Sequence, residues 1–382
     1  ARCAASRRAD APMTPEFPPT RRAALERVAA IDPRAYARTR NALDGRVTGL
    51  GPYLTHGFVT VPDVLAALDA RRVSRQEKIV FELAWREYWH HVWRHAGDGI
   101  FSAMHPGPSG APGLDAMPAD ILEARTGIPV IDASVRALYD TGYVHNHARM
   151  WVASYVVHVR KVDWRAGARW FYTHLLDGDL ASNTLSWQWV AGTFSHKPYL
   201  FNDENVAKYA PSLSKRGTAI DTSYDALDAI ARSGQRFGPE PDAPAEGIAA
   251  PAAASRADLP DAPHPDAAKR SVHLVHPWSL GERPKTSLVI GVLHTPFHAA
   301  HPWSARRWDF VLTRMREVCD VLWQGDLREL APVLESAESV EAVGTLNPGY
   351  RDALPALCGT VHSAARAFAD PPTLKRSFSQ FW

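Results

Sequence analysis

The chain has 382 residues, which is enough for two or three domains with sizeable cores. Hydrophobic residues make up 46% and charged residues 22%, as in ordinary soluble globular proteins, and no apolar run approaches a membrane span. The net charge of +2 does not by itself argue for nucleic acid, although residues 1–50 hold ten Arg against five acidic residues. The three scattered cysteines exclude a four-cysteine iron–sulfur cluster or zinc site and indicate a reducing compartment, so we expect a cytoplasmic protein.

The first part of the chain is predicted to be helical. Residues 1–19 have no hydrophobic core for a signal peptide and are expected to be a disordered leader. The predicted helices lie at residues 20–42 (two short helices), 61–68, 74–95 and, with brief interruptions, 119–209. Ser74 and Glu77 have the spacing of a capping box, and Asp163 is a predicted cap for a helix that begins at Trp164. Glycine and proline make residues 96–118 a loop.

The character of the chain changes after about residue 237. Residues 238–270 are rich in Pro and Ala and predict a linker. The strands predicted beyond it are Ser271–Val275, Ser287–Leu293, Val318–Trp323 and Val340–Val343, with helices over Ala305–Glu317 and Leu327–Leu334. This alternation implies right-handed crossovers and a parallel sheet. We therefore predict a mostly α protein, with a helical domain at 20–237 and a small Rossmann-like α/β domain at 271–382.

Three short blocks between residues 145 and 189 carry chemistry. They read HNHARM (145–150), DGDLASN (177–183) and WQW (187–189). Asn146, Arg149 and Met150 share one helix face, and polar groups on such a face need partners if they are buried. Asp177 could pair with Arg149, which would leave Asp179 as an acceptor for a cofactor. Asp179 could instead cap a helix from Leu180, but capping accounts for only one of the two aspartates.

Together with FELAWREYW (81–89) and TGIPVIDA (126–133), these blocks resemble the FAD-binding helical domain of the DNA photolyase and cryptochrome family. The resemblance runs from about Tyr36 to Asn202. Family members carry an α/β antenna domain before the helical domain, whereas here a smaller α/β unit follows it. The resemblance therefore implies a short member that lacks the usual N-terminal antenna domain, binds FAD, acts on UV-damaged DNA and is a monomer.

The resemblance also implies which residues hold the FAD. Residues 47–51 take the place of the family's phosphate loop but keep only one of its hydroxyls, on Thr48; a glycine-rich turn is the plainer interpretation. Asp177 and Asp179 are expected to face the isoalloxazine ring, with Asn183 beside its N5. The implied cofactor-binding residues are Tyr36, Thr48, Gly49, Leu50, Gly51, Arg86, Asn146, Arg149, Asp177, Gly178, Asp179 and Asn183.

A substrate pocket is implied in the same way. Glu82 and Trp85 lie at i, i+3, so an acid and an aromatic plane point in one direction. The implied DNA-contacting residues are Glu82, Trp85, Arg86, Asn146, Met150 and Trp189, and the implied catalytic residues are Glu82, Asn146, Met150, Trp187 and Trp164. Family members that repair six-four lesions tend to carry His where Asn146 and Met150 stand, so cyclobutane pyrimidine dimers are the expected lesion.

Three alternatives remain open. The tryptophans at 85 and 189 could be ordinary core residues. The protein could be a cryptochrome-like blue-light receptor without repair activity. It could also be a DNA- or RNA-binding flavoprotein without catalysis.

The resemblance further implies a tryptophan relay that reduces the flavin. Trp187 matches the member nearest the flavin and Trp164 the middle one. The third position is occupied by Ala111, and no Trp occurs between Trp93 and Trp151. We expect the relay to end early at Trp164 or to exit through Trp170, Tyr155 or Tyr172.

Two groups of histidines are discounted. His294, His298 and His301 have a metal-like spacing, but prolines interrupt any helix there, so no metal site is predicted. A second group lies on the long predicted helix and is expected to pack or face solvent; it comprises His90, His91 and His95.

Overall fold

The computed structural model describes residues 16–108, 113–259 and 265–382. Most of the expected leader, the relay position Ala111 and part of the expected linker lie outside these ranges. The α-helices are α1 Arg21–Ala29, α2 Pro33–Thr39, α3 Gly51–Thr55, α4 Val61–Ala70, α5 Lys78–Ala96, α6 Ala119–Leu122, α7 Pro129–Thr141, α8 Asn146–Ser154, α9 Trp164–His174, α10 Leu180–Ala191, α11 Asp203–Tyr209, α12 Tyr224–Arg232, α13 Thr295–Ala300, α14 Ala305–Val318, α15 Ala331–Leu334, α16 Tyr350–Leu357 and α17 Phe378–Phe381.

Short 3₁₀ or π turns and strands complete the architecture. The turns lie at Gly97–Phe101, Tyr155–Val159 (π), Pro211–Leu213 and Leu327–Leu330. The strands are β1 Ala253–Ala254, β2 Ser271–Val275, β3 Leu288–His294, β4 Trp303–Ser304, β5 Val321–Gly325, β6 Ser339–Val343 and β7 Thr360–His362.

Eight of the 17 α-helices described begin at a residue whose side chain caps the helix. Asp163 accepts the Arg165 N–H at the start of α9, as predicted. The predicted Ser74–Glu77 capping box is wrong. Ser74 accepts the N–H of Gln76 within a turn, and α5 begins only at Lys78, because residues 74–77 form that separate turn before the helix.

The predicted parallel sheet is confirmed. Its order is β5-β3-β2-β6-β7, and every neighbouring pair is parallel. Strand β3 is buried throughout, as expected for an inner strand covered on both faces. Strand β7 was not predicted, because its three residues are exposed at the sheet edge and leave no apolar pattern. The chain is thus mostly α with a small α/β unit, as its pattern indicated.

The α/β unit packs directly on the first helices. Phe310 of α14 stacks on Phe58 with ring centroids 5.2 Å apart and also contacts Tyr53 of α3. One hydrophobic core therefore runs from α1–α5 into the sheet, while a second lies among α6–α11. The division of the chain into domains at 20–237 and 271–382 stays a prediction.

The expected linker follows the protein surface where it is described. The Glu240 N–H donates to Thr126 O, and the Ile248 N–H donates to Glu123 O. Further along, β1 pairs with β4 of the α/β unit. These bonds give a Pro/Ala-rich stretch a defined course without a core of its own. Within the described ranges, no helix combines the length and the apolar character that a membrane crossing requires.

Candidate active site

Two adjoining cavities open among the helices of the first unit. The larger, here called the loop cavity, has a volume of about 480 Å³ and is bordered by residues 47–51. The other, the aromatic cavity, has a volume of about 410 Å³. The two cavities share the lining residues Glu82, Arg86, Asn146, Arg149, Met150 and Asp177. Shared walls make them one continuous site, and five of these six residues are charged or carry an amide.

Ring systems surround the aromatic cavity. Trp85 and Trp89 come from α5, Phe171 from α9, and Trp187 and Trp189 from α10. The rings of Trp85 and Trp189 are nearly perpendicular, with centroids 5.8 Å apart. Trp189 is 37% exposed, which is unusual for so large an apolar ring and places it at the mouth. The cavity therefore offers flat apolar walls to a ligand that enters from solvent.

The loop cavity owes its shape to glycines. Gly49 has φ +60, a left-handed conformation that favours glycine. A Cβ on Gly51 would collide with the Asp177 carboxylate, so the loop can lie against that side chain only because residue 51 has none. The Thr48 hydroxyl is turned back to the loop and accepts the Leu50 N–H at 3.3 Å.

The ion pair anticipated from the sequence is present. Arg149 Nη2 donates to both oxygens of Asp177, at 3.0 and 2.9 Å, and Arg149 Nε donates to Val144 O. Both side chains are largely buried, with exposures of 23% for Arg149 and 11% for Asp177. The pair lines both cavities and so presents a fixed carboxylate and a guanidinium to whatever binds there.

Asp179 differs from the expectation. One oxygen caps α10 by accepting the Ser182 N–H at 2.8 Å, and the other lies 2.9 Å from His90 Nε2. Burial disfavours its ionised form, but His90, Arg86 and the capping bond outweigh burial and hold its pKa well below the ordinary value. Asp179 lines neither cavity, and protein donors already occupy both of its oxygens. The expected open acceptor for a cofactor is thus not found at this position.

His90, expected from the sequence to pack or face solvent, lines neither cavity but bonds Asp179. It follows Glu82 and Arg86 at i, i+4, i+8, a spacing that puts all three on one face of α5. That spacing was the available signal. The partner of His90 could not be predicted from the sequence, since Asp179 is 89 residues further along the chain.

Three further predicted cofactor residues, Gly178, Asn183 and Tyr36, occupy different places. Gly178 lines neither cavity; its carbonyl accepts from Arg307, and a Cβ there would collide with that guanidinium. Asn183 lines the aromatic cavity, and its amide is fixed by a 2.8 Å bond from Nδ2 to Ala168 O. Tyr36 lines the loop cavity, and burial raises the pKa of its hydroxyl.

The predicted relay residues open on different cavities. Trp187 lines the aromatic cavity and packs over Gly167, where a Cβ would collide with its ring. Trp164 lines a third cavity of about 440 Å³, together with Trp170 and Tyr172. Asn183 lines both this cavity and the aromatic one, so the two are separated by little more than α10 and α9.

The α/β unit supports the site from behind. Arg307 of α14 is fully buried and donates to Tyr172 O and Gly178 O, each at 2.5 Å. Burial lowers the pKa of its guanidinium, against the opposing influence of Tyr172 and Asp177. The two bonds hold the turn between α9 and α10 that carries Asp177. Sequence reasoning missed Arg307, because nothing local marks an arginine whose acceptors are 135 and 129 residues away.

Comparisons with known proteins point to one family. Residues 79–231 match a family model described as the FAD binding domain of DNA photolyase. A deoxyribodipyrimidine photo-lyase of Streptomyces griseus is 38% identical over 148 residues, covering 38% of this chain and 32% of the relative. A cryptochrome DASH of Idiomarina loihiensis is 33% identical over 217 residues, covering 50% of this chain and 47% of the relative.

Among solved structures, a cryptochrome from Synechocystis is similar with 27% identity and a TM-score of 0.47, covering 50% of this chain and 43% of that one. The chain spans between about a third and half of the length of the curated relatives described. Residues 79–231 are an FAD-binding domain of the DNA photolyase and cryptochrome family. FAD is accordingly the cofactor of this chain.

The residues present fit FAD. A dinucleotide needs room for a charged pyrophosphate and for a flat ring system, and the loop and aromatic cavities offer these side by side. Ser182 lines the aromatic cavity with a buried hydroxyl that has no hydrogen-bond partner among the described residues. A buried polar atom without a partner is costly, and a polar edge of a bound ligand would satisfy it.

Proposed function

We propose that this protein repairs cyclobutane pyrimidine dimers in DNA with light, using reduced FAD as the electron donor. One observation carries the proposal. The residues expected to contact the lesion, Glu82, Trp85, Asn146, Met150 and Trp189, all line the aromatic cavity, beside the Arg149–Asp177 pair. A receptor that only senses light has no need of such a pocket at the surface.

The tryptophans act as walls for extruded bases. Enzymes that work on a base take it out of the duplex and stack it between aromatic or apolar side chains. Trp85 and Trp189 meet nearly at right angles, so together they match an angular ligand such as two linked pyrimidines. Met150 adds an adaptable apolar surface beside them. These contacts also exclude water from the space next to the cofactor.

Glu82 and Asn146 supply the polar recognition. The Glu82 carboxylate lies 3.4 Å from Arg40 and 3.2 Å from Lys78, which fix its position without covering it. It would accept a hydrogen bond from a pyrimidine N–H. Asn146 is exposed at the first turn of α8 and would donate from its amide to a pyrimidine carbonyl.

Reduced FAD, when bound, supplies a single electron after absorbing light, and it receives the electron back once the cyclobutane ring has opened. The protein's own part is to position and to shield. The Arg149–Asp177 pair would hold the polar edge of the cofactor, and Asn183, fixed by Ala168 O, would present the remainder of its amide to the same ring. The glycines at 49 and 51 would let the loop approach the phosphates.

Trp187 and Trp164 would carry electrons inward when the cofactor has to be reduced. The third cavity makes Trp164 and Trp170 accessible from the opposite side of α9, so either can serve as the outer member. Photoreduction is measured for Trp164→Phe, Trp170→Phe and Trp187→Phe under identical light. We expect Trp187→Phe to slow photoreduction most, since the Trp187 ring lines the aromatic cavity. Wild-type rates in all three variants would contradict the assignment.

The function is tested directly by illuminating the reduced holoprotein with an oligonucleotide that contains one thymine dimer. Repair restores the thymine absorbance, and we expect this in light but not in darkness. The same oligonucleotide without a dimer is the control. A flavin-loaded protein that changes its own spectrum in light, yet neither binds nor repairs the dimer, would overturn the proposal in favour of a cryptochrome-like receptor.

A further inference from the structure

Two faces of helix α5 make different contacts, one with the cavities and Asp179 and the other with the C-terminal segment. Glu82, Arg86 and His90 follow each other at i, i+4, i+8; the first two line the cavities and the third bonds Asp179. Glu87 and His91 lie on another face, and they contact the segment at residues 363–382. This segment, here called the closing segment, leaves the sheet after β7 and returns to the helical unit.

The closing segment is anchored by buried polar side chains of α5. Glu87, 6% exposed, accepts the N–H groups of Ala367 at 2.7 Å and Phe368 at 3.1 Å. His91, 0% exposed, contacts Asp370 through Nδ1 at 2.6 Å and accepts the Lys375 N–H at Nε2 at 2.9 Å. Because Nε2 accepts, the proton of the neutral ring lies on Nδ1 and is donated to the carboxylate. Buried groups satisfied in this way specify one docked position.

The anchored segment delivers an aromatic ring to Trp85. Phe378 stacks on Trp85 with centroids 4.2 Å apart and planes 10° apart. Trp382 lies 4.4 Å from Phe81, one turn earlier on α5. In the described part of the chain, Trp85 lines the aromatic cavity and Phe378 does not. Phe378 therefore lies flat on a face of the Trp85 indole without itself bordering the cavity.

We propose that Phe378 is a positioning residue for substrate binding. By stacking on Trp85, it would fix the plane of the indole against which a substrate base rests. This inference rests on the proposed function, since it takes Trp85 to be a wall for the lesion. Trp85 sits between the two faces of α5, and on its cavity side Trp189 meets it edge to face rather than flat. Trp85 also contacts Tyr88 and Trp89, but of its described ring contacts only the one with Phe378 is stacked flat, so without Phe378 the plane of the indole would be less firmly held. A bound base would then have to order it, and that ordering would weaken binding.

The test compares Phe378→Ala, Phe378→Leu and Phe378→Tyr with the wild-type holoprotein. The leucine variant keeps an apolar side chain in case alanine prevents folding, and the tyrosine variant keeps the flat ring. Phe368→Ala is the matched control, because Phe368 belongs to the same segment and its ring contacts Trp382. Flavin content and thermal melting establish that each variant is folded and loaded.

We expect Phe378→Ala and Phe378→Leu to raise the KM for dimer-containing oligonucleotide roughly threefold to tenfold, with kcat unchanged. Phe378→Tyr should restore the wild-type KM, and Phe368→Ala should leave it unaltered. A KM for Phe378→Leu equal to that of the wild type, or a loss of kcat and flavin together, would overturn the positioning role. A wild-type protein that does not bind the dimer would instead remove the proposed function, and the inference with it.

Discussion

The helical unit and the α/β unit contribute to the site in different ways. Every residue that lines the loop and aromatic cavities lies between Tyr36 and Tyr199, in the helical unit. The α/β unit lines neither cavity, yet Arg307 holds the turn that carries Asp177, and the closing segment packs against Trp85. The helical unit thus provides the groups that line the cavities, and the α/β unit fixes the positions of two of them, Asp177 and Trp85.

The interactions differ in kind as well. The pairs that face the cavities, such as Arg149–Asp177, are largely buried but border open space in the cavity, so one side of each remains available to a ligand. The supports are closed: Arg307 is fully buried beneath Trp303, with its guanidinium carbon 4.1 Å from the ring centroid. Partly open charges can change partners when a ligand binds, whereas a buried cation cannot do so cheaply. The cavity-lining charges can therefore adapt to a ligand, whereas the buried contacts of Arg307 keep the turn that carries Asp177 rigid.

The largest effect is expected at the support. Arg307→Met would leave the carbonyls of Tyr172 and Gly178 buried without donors, and it should lower the free energy of unfolding by about 3 kcal/mol. Thermal melting and flavin retention measure the result. Arg306→Met, an exposed neighbour on the same helix, is the control and should stay within about 0.5 kcal/mol of the wild type. Equal melting temperatures and equal flavin retention in the two variants would mean that Arg307 of the α/β unit does not stabilise the site.

The next effect concerns the cofactor. Asp177→Asn keeps the shape of the side chain but leaves Arg149 without its counter-charge, so FAD affinity should fall roughly thirtyfold to a hundredfold. Flavin content after purification and titration of the apoprotein measure this. Asp228→Asn removes an exposed pair with Arg232 and serves as the control. Undiminished flavin binding by Asp177→Asn would place the cofactor elsewhere.

A smaller effect should appear in repair alone. Glu82→Ala and Asn146→Ala remove the polar contacts that we propose for the lesion but leave the Arg149–Asp177 pair in place. Repair per bound flavin should fall by about tenfold or more while flavin content is kept. The exposed Glu26→Gln is the control. Loss of flavin with unchanged repair per flavin would show that these residues serve the cofactor and not the DNA.

The smallest effect is a pH dependence of the closing segment. Burial lowers the pKa of His91 below its ordinary value of 6.5, and this outweighs the opposing effect of Asp370. The docked state therefore binds fewer protons than the undocked state, so His91 stabilises docking fully above pH 6.5 and this contribution is lost as the pH falls. The charged or titratable groups around His91 are Asp370, His95, Arg366, Lys375 and Tyr88, and Arg94 pairs with Asp370.

We expect the KM for the dimer to rise about threefold between pH 7.5 and 5.5 in the wild type. His91→Gln cannot titrate at this position, so its KM should vary less over the same range. Identical pH profiles in the two proteins would contradict a role for His91 in docking.

Local pattern predicted much of the fold. The strand over Ser271–Val275, the cap at Asp163 and the parallel sheet follow from alternation and capping chemistry within a few residues. The Arg149–Asp177 pair was also accessible, because two short blocks each carried one charge of a complementary pair.

What escaped prediction depends on contacts between distant parts of the chain. Asp179 was expected to face the cofactor. Its capping of α10 could be recognised in the sequence as an alternative, but its second partner, His90 on α5, could not. The closing segment contains three phenylalanines, Phe368, Phe378 and Phe381, and a tryptophan, Trp382. The last three are spaced at i, i+3, i+4, but the helix there, α17, has only four residues, too few for a period to predict it. Their significance appears only against α5, which lies about 280 residues earlier in the sequence.

The long return of the closing segment has a consequence for how the protein is made. At a synthesis rate of roughly 5–20 residues per second, about 14 to 56 s pass between the appearance of α5 and of the residues that cover it. During that interval Phe81 and Trp85 lack their aromatic cover, and contacts of such separation form late. In a nascent chain the cofactor-binding helices would therefore form well before Phe378 is available to stack on Trp85, against which a substrate would rest.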